Sequence, residues 1–246
     1  MGSDAALAEG GLGVTQVAAL TGHEKSQVSR TLTTLTEYGL VERSPVVRGY
    51  RLGWECFALA ARAGEPRLIE DARIGLAQLV DLVGEASHLS ALDGTEVQTL
   101  LTQPAPHAIA ARSWVGRRLP AHCTSSGRAL LIDYDRVALL ELFGSEPFPA
   151  CGPNAPADAR ELERRISRAR RVGYAVADEE SEPGLVAVAA PVRDFTGRVI
   201  AAINVSAPRF RLGSRLHPTG ELVRAAADRL SDALGRPHTV DQAISR

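Results

Sequence analysis

The sequence predicts an α+β protein in two parts. An N-terminal winged helix-turn-helix is joined by a linking helix to a larger mixed α/β domain with a mainly antiparallel sheet. Three patterns carry this reading. In residues 24–38, Val28, Leu32 and Leu35 fall in one narrow stripe at about 100° per residue, with Ser26, Arg30, Thr33 and Glu37 on the opposite side. In residues 68–83, Ile69, Ala72, Leu76, Leu79, Val80 and Val83 recur at helical spacing and open a second core. The apolar runs 185–192 and 199–205 are strand-sized, turn around Gly197 and are far too short to cross a bilayer.

Along the chain, residues 3–9 are expected to form a short first helix stopped by Gly10, Gly11 and Gly13. Thr15 is expected to cap the next helix, which carries Val17, Ala18 and Leu20. Thr21-Gly22-His23 breaks the pattern and the 24–38 helix follows at once, which is the helix-turn-helix arrangement. Gly39 ends that helix; residues 40–43 and 50–52 read as two strands around a turn at 44–49 that contains Pro45, giving the wing. Residues 54–64 are apolar enough for a linking helix, and Gly64-Glu65-Pro66 mark a boundary. The expected organisation is therefore a winged helix-turn-helix over 1–53, a linker helix over 54–66, a second domain over 67–235 and a loose tail over 236–246.

Within the second domain, residues 85–93 and 96–102 flank Gly94 as a hairpin, and 107–114 reads as a further strand. Asp135 caps a helix running to Phe143, and a proline-rich loop follows. Asp158 and Glu161 suggest a capping box for a helix that buries Leu162, Ile166 and Ala169 and ends at Gly173. Residues 174–180, 185–193 and 198–207 are the last strands. Val223, Ala226, Ala227, Leu230 and Leu234 give an amphipathic terminal helix.

Net charge is −1, and residues 1–53 carry five basic against five acidic side chains. Bulk charge therefore does not advertise a nucleic-acid binder, and the case rests on where the polar groups stand. The N-terminus lacks the basic-then-apolar layout of an export signal. Cys56, Cys123 and Cys151 are odd in number and contain no CxxC pair, so spacing indicates neither a disulfide framework nor a zinc site, and a cytoplasmic location without membrane association is expected.

The second helix of a helix-turn-helix enters the major groove and uses its N-terminal residues on base edges. Ser26, Gln27, Ser29 and Arg30 are then the expected base-reading or phosphate-touching groups, with Lys25 and Thr33 as flanking backbone contacts. Thr15 stands where a helix N-terminus can face phosphate, and Arg48 on the wing can reach the adjacent minor groove. In the second domain, Thr124, Ser125 and Ser126 stand at the start of the helix carrying Ala129 and Leu130, so hydroxyls and backbone N–H groups converge where an anion is favoured. Asn204 and Ser206 share one face of their strand, opposite Ile203 and Val205, and need polar partners, either neighbouring backbone or a ligand.

The stretch VTQVAALTGHEKSQVSRTLTTLTEYGLVERSPVVRGYRLG resembles the DNA-binding domain of the IclR family of bacterial transcription regulators. VGRRLPAHCTSSGRALL resembles the family's effector-domain sequence in Gly116, Leu119, Pro120, His122, Ser125, Gly127, Arg128, Ala129 and Leu130. The stretch GYAVADEESEPGLVAVAAPVRDFTGRVIAAINVSAP also resembles the family. Departures are a short first helix, Cys123 and Ser126 where the family usually has small residues, and Ala187 where it often has cysteine. The resemblance implies a GAF/PAS-like effector-binding domain, with Ser125, Ser126, Asn204 and Ser206 as ligand contacts and Leu119, Leu185 and Ala187 as apolar wall. It implies Asp178 or Glu180 as an acidic edge. Trp114 is either a lid over an aromatic ligand or, as is commoner for a buried tryptophan, part of the core. The implied effector is a small organic acid and the implied partner a double-stranded DNA operator, read by a homodimer or a dimer of dimers. No cofactor is implied.

An enzyme is the competing class. His122 beside Cys123, with Asp178 and Glu179 elsewhere, invites a cysteine-nucleophile reading, but adjacent side chains usually point apart and no residue orients the histidine. His88, His107, His122 and His217 have no ligand spacing. The alternative from another class is a small-molecule-binding or protein-interaction module whose winged helix no longer binds DNA.

Overall fold

The computed structural model describes residues 11–44, 49–63, 66–106 and 114–235, and the chain divides into two compact units, Met1–Pro66 and Arg67–Arg246. The expected helix over 3–9, Arg48, His107 with most of the 107–114 strand, and the tail lie outside the described residues.

In the first unit, α1 (Val14–Thr21) and α2 (Lys25–Glu37) are joined by the turn Gly22-His23-Glu24. The N-cap of α1 is Gly13, whose backbone N–H donates to Gln16 Oε1 at 2.8 Å. Thr15 therefore sits inside the first turn with its side chain exposed, which corrects the capping role read from sequence. A hydroxyl-bearing residue is only the preferred cap, and here Gln16 supplies the reciprocal bond from three residues on. The wing is β1 (Val41–Arg43) paired with β2 (Tyr50–Leu52), and Leu12 bridges to Tyr50 as a third short strand. Ala18, Val28, Leu32 and Tyr50 form the small core, with Val14, Val17 and Val41 packed against it. α3 (Trp54–Ala63) follows, and Cys56 Sγ donates to Leu40 O at 3.0 Å.

The second unit is built on one six-stranded sheet of order β5-β4-β3-β8-β7-β6, every neighbouring pair antiparallel. The strands are β3 (Ser87–Asp93), β4 (Glu96–Gln103), β5 (Arg118–Pro120), β6 (Ala175–Asp178), β7 (Leu185–Arg193) and β8 (Val199–Pro208). α4 (Pro66–Val83) and α9 (Leu216–Gly235) cover one face. Leu76, Leu79, Val223 and Leu230 meet Leu89, Val186, Val188, Ile203 and Val205 there. The opposite face carries small side chains, Ala175, Ala189 and Ala202, and receives α5 (Ser125–Leu130), α6 (Arg136–Phe143) and α7 (Ala159–Val172). α8 (Arg209–Leu212) follows β8. The side-chain period of two sorts large aliphatics to one face and small or polar residues to the other, so β7 and β8 bury both faces without being uniform.

The Asp135 and Asp158 caps form as expected, accepting from Ala138 N at 2.9 Å and Glu161 N at 2.7 Å. Glu161 reaches back to Ala157 N at 3.1 Å, one residue before the cap. Sequence periodicity did not foresee β5 or α8, each too short to show a repeat.

α5 is six residues long and sits deep. It is preceded by a 3-10 turn, Ala121–Cys123, and a Cβ at Gly127 would lie 2.0 Å from Ala121 O, so only glycine lets the turn fold back on the helix. Arg128, at 1 % exposure, extends from α5 to Glu180 just after β6. Its guanidinium grips both carboxylate oxygens, the second at 3.0 Å, and also donates to Val176 O. Arg165 of α7 adds a second cation on Glu180 at 2.8 Å. Removing Arg128 takes two donors from the buried Glu180 carboxylate and leaves it with Arg165 at its edge. Arg128→Met is expected to lower unfolding free energy by roughly 3–5 kcal/mol, read as a shifted urea midpoint.

Candidate functional site

The polar residues on the small-residue face do not pack flat. Across the register His88 pairs with Asn204, Ser90 with Thr99, and Ala187 with Ser206, so these side chains share one face. With Thr124, Ser125 and Ser126 of the α5 entry, and with Leu119, Val97, Ala177, Leu185, Ser181 and Trp114, they line a cavity. It contains about 540 Å³ of atom-free space, partly open to solvent, of which about 60 Å³ can be reached by the centre of a water-sized sphere. The interior is thus suited to a compact ligand rather than a chain-like one.

Seven of the eight residues expected around an effector line this cavity: Leu119, Ser125, Ser126, Leu185, Ala187, Asn204 and Ser206. Asp178 does not. Its neighbour Ala177 faces the cavity, and strand alternation sends Asp178 to the other side, where Arg209 Nε binds it at 3.0 Å. Glu180 is held by Arg128 and Arg165, so neither acid edges the cavity. The α5 helix is only six residues long and contributes little dipole; the hydroxyls are its contribution.

The two polar residues of β8 part company. Ser206 Oγ lies 3.3 Å from His88 Nε2, and His88 Nδ1 lies 3.0 Å from Thr102 Oγ1. Among the described residues, the Asn204 amide and the hydroxyls of Ser90, Thr99, Ser125 and Ser126 make no side-chain hydrogen bond, although Asn204 is 9 % exposed and Ser125 1 %. Among the described residues no buried side-chain polar atom is sealed off without a partner, so these groups open onto the cavity. Buried polar groups are ordinarily satisfied, which makes a set of open ones a receptor for a ligand's polar atoms.

His88, Ser90 and Thr99 were absent from the residues expected at the site. Their signal was available: His88 and Ser90 are two apart on a strand, the same spacing that singled out Asn204 and Ser206. Only the register shows that both pairs face one space. Trp114 stands at the rim, edge-on to His88 at 6.1 Å and under the Arg117 guanidinium at 4.5 Å. Among the described residues, no arginine or lysine lines the cavity.

In the first unit, Lys25, Ser26, Gln27, Ser29, Arg30 and Thr33 are all exposed, while Val28 and Leu32 are buried. Thr33 Oγ1 donates to Ser29 O at 2.9 Å. Among the described residues, the Ser26, Gln27 and Arg30 side chains make no hydrogen bond or ion pair, leaving their donors and acceptors to solvent or to a partner.

Comparison with known proteins covers both units. The profile of the IclR helix-turn-helix domain matches residues 6–45, and that of the bacterial transcriptional regulator IclR C-terminal domain matches residues 62–232. The HTH-type transcriptional regulator XynR of Escherichia coli is 32% identical over 231 residues, covering 92% of this chain and 90% of XynR. The HTH-type transcriptional regulator KdgR of Dickeya chrysanthemi is 31% identical over 226 residues, 91% of this chain and 74% of KdgR. Among solved structures, an IclR homolog from Microbacterium hydrocarbonoxydans complexed with 4-hydroxybenzoate superposes with a TM-score of 0.76 at 27% identity, covering 94% of this chain and 97% of that one.

Burial lowers the pKa of His88 from its ordinary value to about 4, so the imidazole is neutral in the folded protein near neutral pH. A folded pKa below the unfolded value, about 6.5, means that the unfolded chain binds more protons between pH 6.5 and 4. Stability from this residue is therefore present above pH 6.5 and lost as pH falls through that window. Between pH 7 and pH 4.5 it should cost roughly 2–3 kcal/mol, a component that denaturation curves of His88→Gln should lack.

Proposed function

This chain belongs to the IclR family of bacterial transcriptional regulators, and on that premise we propose that it is a cytoplasmic repressor-type protein whose operator binding answers to a small organic acid. It is a DNA-binding regulator with an effector-binding domain. The reading assigns residues 1–53 to the DNA-reading head, 54–66 to the linker helix and 67–235 to effector binding. The observation that carries it is the outward polar face of α2, where among the described residues the Ser26, Gln27 and Arg30 side chains have no protein partner, held by the buried Val28 and Leu32. Ser26, Gln27, Ser29 and Arg30 are the proposed base-edge and phosphate contacts, flanked by Lys25 and Thr33. Thr15, exposed in the first turn of α1, is a proposed phosphate contact, and Arg48 is the proposed wing contact.

Two reading heads about one DNA turn apart suit a palindromic operator, so a homodimer is the proposed minimum and a dimer of dimers the larger form. The effector proposal rests on the cavity. Asn204, Ser125 and Ser126 offer donors to a carboxylate, Ser206 and His88 supply a neutral polar wall, and Leu119, Leu185 and Ala187 supply apolar area. The relative that binds 4-hydroxybenzoate supports an acid with an aromatic or similarly compact body. A ligand shifts operator affinity only by its differential affinity for two arrangements of the protein.

With DNA from upstream of the protein's own gene, Arg30→Ala is expected to weaken binding by roughly 1–3 kcal/mol in a fluorescence anisotropy titration. Equal affinity of the wild type for that DNA and for scrambled DNA would favour a module that no longer reads an operator. Effector binding is checked by calorimetry with 4-hydroxybenzoate and a set of short aliphatic carboxylates. At least one acid should bind, its neutral amide should bind more weakly, and Asn204→Ala should cost the acid roughly tenfold or more, about the value of a hydrogen bond to a charged group.

A further inference from the structure

Beside the cavity, the fold assembles a cluster that residue spacing gave no sign of. The 3-10 turn Ala121–Cys123 and the loop between α6 and α7 bring the imidazole of His122 and the sulfurs of Cys123 and Cys151 within 4.8 Å of one another. Cys151 Sγ is 3.4 Å from His122 Nε2. A tetrahedral Zn²⁺ with Zn–S of about 2.3 Å and Zn–N of about 2.0–2.1 Å sets its sulfur–nitrogen edges near 3.5 Å and its sulfur–sulfur edge near 3.8 Å. The Cys151–His122 distance already matches, and from a separation of at most 4.8 Å the others need closing by no more than roughly 1.3 Å.

The scaffold around these groups is set. His122 and Cys123 are buried, and the His122 ring packs against Phe148 at 4.6 Å. Next to Cys151, Gly152 N donates to Glu180 O at 2.7 Å, and a Cβ at Gly152 would stand 2.3 Å from Glu179 O, so the loop is pressed onto the segment after β6. Asn154 Nδ2 holds the same loop to Asp178 O at 3.0 Å. Two thiols and an imidazole are soft or borderline ligands that suit Zn²⁺ or Cu(I) and reject Mg²⁺ and Ca²⁺.

We propose that His122, Cys123 and Cys151 bind one thiophilic metal ion of the Zn²⁺ class, with water in the fourth position. On binding, both thiols release their protons to solvent, and the imidazole binds through Nε2 with its proton on Nδ1. Two thiolates balance the charge of Zn²⁺, so the loaded site adds no net charge to a buried place. The ion ties the turn leading into Thr124–Ser126 to the loop over 144–158. The site is independent of which effector the cavity takes.

Co²⁺ tests this in the reduced, chelator-stripped full-length protein. One Co²⁺ per chain should give thiolate-to-cobalt charge-transfer absorption and the visible bands of tetrahedral ligation, both removed by stoichiometric Zn²⁺. Cys151→Ser, a half-buried loop change, should abolish the charge-transfer band, and His122→Gln should weaken Zn²⁺ at least about tenfold, since even outer-sphere changes cost 10–100-fold. Cys56→Ser should behave as wild type. Absence of thiolate charge transfer in the wild type, or its undiminished presence in Cys151→Ser, overturns the proposal.

Discussion

The ion pair between Arg128 and Glu180 is the constraint around which the second unit is arranged. A guanidinium at 1 % exposure is tolerable only with its donors matched, and three acceptors do this: both Glu180 oxygens and the Val176 carbonyl. The pair crosses from α5 to the chain just beyond β6, and Arg165 draws α7 into the same knot. None of the three elements can shift without leaving a buried charge unmatched. α5 is too short to be stable by itself, so the pair and the turn against Gly127 are what hold Thr124, Ser125 and Ser126 in place.

What surrounds that knot follows from side-chain size. On one face of the sheet, valines, isoleucine and leucines meet α4 and α9 in an aliphatic core. On the other, alanines let α5 approach closely, and where Ser90, Asn204 and Ser206 replace them the packing opens into a cavity. The cavity is polar without being charged. Its histidine is kept neutral by burial, and its acids are engaged elsewhere by arginines. Among the described residues the polar groups that line it are thus hydroxyls, an amide and a neutral imidazole. The first unit obeys a simpler rule: a core built on Ala18, Val28, Leu32 and Tyr50 orients α2 and turns Ser26, Gln27 and Arg30 outward.

Much of this was readable before any coordinates. Local chemistry set the helices with long apolar stripes, the Asp135 and Asp158 caps, the Gly173 stop and the hairpins at Gly94 and Gly197, and they appear where expected to within a residue or two. The cap of α1 was assigned to Thr15, two residues too far along, because the Gln16 side chain that closes on the Gly13 backbone N–H carries no cap signature in the sequence. β5, with three residues, and α8, with four, each span less than two periods, too few for a pattern to repeat.

The sequence by itself determined the two-part architecture, the inward and outward faces of α2, and the polar pair on β8, because each depends on residues a few positions apart. Tertiary structure alone decided that His88, Ser90 and Thr99 join Asn204 and Ser206, that Asp178 turns away to Arg209, and that His122, Cys123 and Cys151 converge. Those outcomes depend on strand register and on loop closure between distant positions such as 123 and 151, and no periodicity within one segment encodes them.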